Sequence, residues 1–211
     1  MTIKKQVTEY IQNRDYAGII ELGREKNTQV LRYIQMNIWG DYRQLQRWYA
    51  LEALEKMAYN YGAANDEAYR NVLRRALWAM NDESGNVPWA APEMMAVVIK
   101  GRTEQFHEFI KYMITNGLDN PMCHIGVLWS IGYLGKENLE HIKPFLNKIT
   151  VLLQDKDSEV RGYAAWGLGQ LQLPELEEKL QVLAEDTGIV HLYLDGAIQC
   201  ITVGEVVRER R

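Results

Sequence analysis

An all-α fold of stacked helix pairs is what this sequence predicts, and three observations carry the prediction. Apolar residues recur at helical spacing along nearly the whole chain, alternating strand patterns of useful length are absent, and the turns are short. In LEHIKPFLNKITVLLQ the apolar set Leu139, Ile142, Phe145, Leu146, Ile149, Leu152 and Leu153 keeps to one helical stripe. Turn signals fall at Gly40-Asp41, Gly117 to Pro121, Asp155 to Ser158, Pro174, and Asp186 to Gly188. No low-complexity segment or linker divides the chain, so one domain is expected over residues 1–211.

A chain of helices with short turns is tested for internal repeats. The clearest unit is LLQDKDSEVRGYAAWGLGQL, residues 152–171: a helix end, a turn opened by Asp155, and a second helix carrying Val160-Arg161, Ala164-Ala165 and Leu168. The same offsets hold Asp41, Arg47, Ala50 and Leu54, then Asp82, Pro88, Ala91 and Met95. They recur more loosely at His124, Val127 and Ile131, and at Glu185, His191, Leu194 and Ile198. Successive units are 41, 36, 37 and 30 residues apart, at or below the roughly 40–47 of helical-pair repeats.

The pattern D-x5-R-x-x-A-A-x-x-L resembles the second half of a HEAT repeat, and especially the short HEAT-like repeats of phycobilisome lyases. The resemblance implies an α-α superhelix, a HEAT-like solenoid of five helix pairs behind an N-terminal helical cap. The cap takes residues 1–26, the repeats 27–201, and a charged tail, 202–211, closes the stack. Outer helices are expected near 28–39, 66–81, 103–116, 138–154 and 174–185, and inner ones near 43–60, 89–99, 121–134, 158–171 and 188–201. In the second unit, NDESGNVPWAAPE, Asp82 to Gly85 form the turn, and Pro88 and Pro92 delay the inner helix so that Pro92 stands in its first turn.

In HEAT proteins the second helices line the concave side, and the turn Asp and the Arg six residues on build ladders between repeats. By resemblance, Asp41, Arg47, Asp82, Asp155 and Arg161 are ladder residues, while Pro88, His124 and His191 interrupt the ladder. The Val, Ala and Leu positions of each unit go to the core, which leaves the first, second and fifth residues after the Arg facing outward. Those positions hold Trp48, Tyr49 and Glu52; Trp89 and Glu93; Trp129; Tyr163 and Trp166; and Tyr193. Trp and Tyr anchor interfaces, so these nine residues are the candidate groove, with two carboxylates one repeat apart. Packing of the same rings between adjacent repeats is the other reading open.

The function expected from this arrangement is a non-catalytic scaffold that holds another protein in an aromatic concave groove. Two alternatives stay open: a lyase-like enzyme or carrier of a flat small molecule, and a nucleic-acid binder. Against the last, residues 1–80 carry about +3 and the remainder about −7, for a net −4, so no strongly basic surface is expected. No nucleophile elbow, phosphate loop or zinc spacing is present, and no catalytic residue, cofactor or metal is assigned. HEAT-repeat hydroxylases hold two irons with several His-Glu pairs; this chain has one, His107-Glu108. Cys123-His124 and His191 are expected in structural roles, and Cys123 and Cys200 as reduced thiols. The N-terminal residues lack a signal-peptide core and no stretch suits a membrane span, so a soluble cytoplasmic protein is expected.

Overall fold

The structure of the protein, a computed structural model, describes residues 1–81 and 90–209. α1 (Ile3–Gln12) opens where the Thr2 hydroxyl accepts from the Lys5 N–H at 3.4 Å, and α2 (Tyr16–Ile38) where Asp15 accepts from the Gly18 N–H at 2.9 Å. Each cap satisfies a backbone donor that has no partner inside its helix. The expected boundary between cap and first repeat is a kink inside α2: only Lys26 leaves helical geometry, at φ −126° and ψ 36°.

The chain continues as α3 (Leu45–Tyr61), α4 (Asp66–Met80), α5 (Ala91–Gly101), α6 (Thr103–Phe106), α7 (Phe109–Asp119) and α8 (His124–Leu134). Then follow α9 (Leu139–Ile142), α10 (Leu146–Val151), α11 (Ser158–Gly169) and α12 (Glu177–Gln181). Pro92 does stand in the first turn of α5, where an N–H has no intrahelical partner to lose. The long outer helix expected over 138–154 is broken into α9 and α10 by the 3-10 turn Lys143–Phe145. Pro144 at its centre has no N–H, and its ring crowds the carbonyl four residues back.

α3, α5, α8 and α11 lie side by side in that order, with α2 against α3, α4 and α7 against α5, and α7 also against α8. Small residues let this row close up. A β-carbon on Gly167 would stand 2.5 Å from the Leu128 carbonyl oxygen, and one on Gly132 would stand 2.5 Å from the Trp166 ring. Gly167→Ala therefore has to push α8 and α11 apart, and a loss of about 1–3 kcal/mol is expected in urea denaturation.

The last unit departs from the expected helix pair. Residues 174–185 hold only the 3-10 turn Pro174–Leu176 and the short α12. The inner helix expected at 188–201 is instead an antiparallel hairpin, β1 (Ile189–Leu194) and β2 (Ala197–Thr202), paired from Ile189↔Thr202 to Leu194↔Ala197. Its two-residue turn is Asp195-Gly196, at φ 49° and 87°. A turn with positive φ at both central residues matches the twist of hairpin strands, and Asp-Gly suits it because glycine has no Cβ to clash.

The described part of the tail folds as a helix. α13 (Val203–Glu209) buries Val203, Val206 and Val207 and packs on α11. It starts with a reciprocal cap: the Thr202 N–H donates to Glu205 Oε2 at 2.6 Å, and the Glu205 N–H donates to Thr202 Oγ1 at 3.2 Å. The Thr202 N–H holds the Glu205 carboxyl below its ordinary range.

Candidate functional site

Two arginines of the repeat pattern, Arg47 on α3 and Arg161 on α11, make the same two-way link. Each reaches back to a carbonyl of its own turn, Arg47 to Gly40 at 3.0 Å and Arg161 to Asp155 at 2.7 Å. Each reaches forward to a carboxylate of the next unit, Arg47 to Glu93 and Arg161 to Asp186 at 2.7 Å. The turn acids do something else. Asp41 and Asp155 each accept a backbone N–H two residues on, at 2.9 Å, which shapes the turn. The rungs thus join Arg to Glu93 and Asp186, not Arg to the turn acids, and Glu185, aligned with them in sequence, points to solvent. Asp82 and Pro88 lie outside the described residues.

Glu93 is a correction. Expected on an open groove, it is 1% exposed, and its partner Arg47 is 2% exposed. Its carboxylate lies against the backbone of Gly126, where a β-carbon would come within 2.8 Å of its Cδ. Oε2 has no hydrogen-bond partner among the described residues. Burial pushes the Glu93 carboxyl up, and Arg47 opposes the shift.

The aromatic residues are the second correction. Trp48, Trp129, Tyr163, Trp166 and Tyr193 are all buried. Trp48 stacks on Tyr193 at 4.6 Å and meets Trp129 at 4.9 Å; Trp129 stacks on Tyr133 at 4.5 Å and lies 6.5 Å from Trp166. These contacts join the first inner helix to the third, and the third to the fourth. Tyr42 meets Tyr163 edge-on at 6.3 Å, and Arg43 pairs with Glu159 at 3.3 Å, so the first turn also touches the fourth helix. The row bends so far that its inner side becomes core. Trp89 lies outside the described residues.

What remains of the groove is filled by the hairpin. Glu52 on α3 accepts from the Tyr193 hydroxyl at 2.5 Å, from the Tyr16 hydroxyl, and from Arg14 at 3.1 Å. The Tyr49 hydroxyl donates to the Gly196 carbonyl at 3.3 Å. Burial, followed by bonding to Glu52, pushes the phenols of Tyr16 and Tyr193 well up, so both stay protonated donors. Three donors thus converge on the Glu52 carboxylate and hold it in place. Lower on the hairpin, His191 donates its N–H to Glu159 Oε2 at 3.0 Å, and its carbonyl accepts from Tyr163 at 2.7 Å.

No protein-family model, curated protein or solved structure matches this chain. His107 stacks on His141 at 5.1 Å, His124 bonds the Leu118 carbonyl, and Cys123 is buried while Cys200 is exposed, both as free thiols. Burial raises the Cys123 thiol to about 12. No group of three His, Cys, Asp or Glu side chains converges among the described residues, and no helix among them is long and apolar enough to cross a membrane.

Among the large side chains that face solvent, two tryptophans sit on or next to the flanking helices α2 and α4. Trp39, just past the end of α2, is 52% exposed and Trp78, in the last turn of α4, is 71% exposed. Sequence patterning passes over both because they fall outside the second-helix motif. The available signal is a Trp near the C-terminal end of each of two successive outer helices.

Proposed function

We propose that this chain is a non-catalytic scaffold of the HEAT-like helical-repeat type, an α-α superhelix that binds another protein. The shared turn geometry at Asp41 and Asp155 and the matching links of Arg47 and Arg161 support the repeat reading. The observation that carries binding is the exposure of Trp39 and Trp78, at 52% and 71%. Tryptophan rarely stands so open on a folded surface, and it is enriched among residues that anchor interfaces. Trp48, Trp129 and Trp166 are already engaged within the core, which leaves Trp39 and Trp78 as the open tryptophans among the described residues.

The test is capture from a lysate of the cells that make the protein, comparing wild type with Trp39→Ala/Trp78→Ala after matching their circular dichroism. Wild type is expected to enrich a defined set of proteins about tenfold over bare resin, and the double variant to lose it. No enrichment by wild type removes the scaffold reading, and equal enrichment by both removes these tryptophans from it.

A further inference from the structure

Between α2 and α4 runs a groove of about 340 Å³ whose buried floor includes Leu31 and Val72. Arg32 lines one wall and Arg75 the other, and no acidic residue lines either. Both arginines are exposed, and neither has an ion-pair or hydrogen-bond partner among the described residues. Their neighbours differ: Arg70 pairs with Asp66 and Glu108, Arg74 with Glu67, and Arg24 with Glu21.

The Asn27 side chain donates to the Tyr69 hydroxyl at 3.3 Å, which ties α2 to α4 beside the groove. From that bond, Arg32 is five residues along α2 and Arg75 six along α4, about 7.5 and 9 Å by helical rise. Met36 and Trp78 are each nine residues along, about 13.5 Å. Both are exposed, at 47% and 71%. Met36 thus stands about one turn beyond Arg32 on α2, and Trp78 just under one turn beyond Arg75 on α4.

We infer that this groove is the docking site for an acidic amphipathic helix of a partner protein. The inference rests on the scaffold reading and names the chemistry of the partner. An apolar stripe on the incoming helix would cover Leu31 and Val72 and meet Met36 and Trp78, in the helix-in-groove mode. Carboxylates flanking that stripe would take Arg32 and Arg75, whose planar guanidinium groups match a carboxylate in two hydrogen bonds. A protein occupant fits better than a nucleic acid, because the floor is apolar, the walls offer two cations, and the whole chain carries −4.

The test uses the full chain and two synthetic helical peptides: one with a leucine stripe flanked by glutamates, the other with lysine for each glutamate. Binding is followed by tryptophan fluorescence and by amide shifts along α2 and α4. The glutamate peptide is expected to bind saturably at micromolar concentration, and Arg32→Glu/Arg75→Glu to weaken it at least about tenfold while gaining the lysine peptide. Both arginines are exposed, so the variant should melt like wild type. Absence of saturable binding, or binding that the charge reversal leaves unchanged, overturns the inference. So does a single-stranded oligonucleotide that binds more tightly than the peptide and loses binding in the same variant. Lysate capture separates the two readings. A set lost in Trp39→Ala/Trp78→Ala but kept in Arg32→Glu/Arg75→Glu sinks the acidic helix and leaves the scaffold.

Discussion

Replacing Arg47 with Met is expected to destabilise the protein by about 3–5 kcal/mol at neutral pH, because it leaves Glu93 buried without its cation. The two groups are 2% and 1% exposed, and no solvent reaches the carboxylate to take the place of the guanidinium. The pH dependence follows from the direction of the Glu93 shift. Its carboxyl is already raised above the ordinary 4.5 by burial, and losing Arg47 removes the influence that lowers it. A raised carboxyl binds its proton more tightly in the folded state, so ionisation costs stability above the folded pKa. That cost fades as pH falls through the folded value towards the unfolded one. Arg47→Met should therefore regain stability as pH falls through the raised folded value of the Glu93 carboxyl, in urea denaturation followed at several pH values. Adding Glu93→Met should recover most of the loss at neutral pH, since an apolar pair of similar size replaces a buried ion pair at little cost. A single variant that unfolds like wild type would show that the pair is not desolvated.

Trp129→Ala is the second large effect. The ring stacks on Tyr133, meets Trp48 and lies beside Trp166, bridging three inner helices. Its removal opens a cavity where the row bends, and a loss of about 3–5 kcal/mol is expected. Thermal melting followed by far-UV circular dichroism should show a large drop in the midpoint. A groove anchor would behave in the opposite way, with melting unchanged and partner capture lost. The same experiment thus decides which role the tryptophan has.

Much of the helical pattern is legible because it is local. Pro92 at the start of α5 acts within a turn, whereas the stripe of Leu139 to Leu153 gives helical spacing without showing the break at Pro144. The hairpin is misread because IVHLYLDGAIQCI fills the slot of a fifth inner helix at plausible offsets. The stronger signal was the Asp-Gly pair flanked by alternating β-branched and aromatic residues. For the site, the repeat pattern correctly brings Trp48, Trp129 and Trp166 to one side of the row. It cannot say how tightly that side curls. Curl depends on the separation of neighbouring helices, and that is set by Gly126, Gly132 and Gly167, whose missing side chains admit Glu93, Trp166 and the Leu128 carbonyl. Glycines at such positions read as neutral in a periodicity count, yet they turn a concave face into a core.

The bond between Tyr193 and Glu52 joins residues 141 positions apart, one in the last unit and one in the first. A linear array of repeats has two free ends, and each end melts with only one neighbour to hold it, so such arrays can lose cooperativity as they lengthen. Here the terminal hairpin is seated on the opening helices through Trp48, Tyr49 and Glu52. The first and last segments of the described chain thus hold each other in place. Fraying of the hairpin therefore has to break its contacts with α3 as well as those with α11.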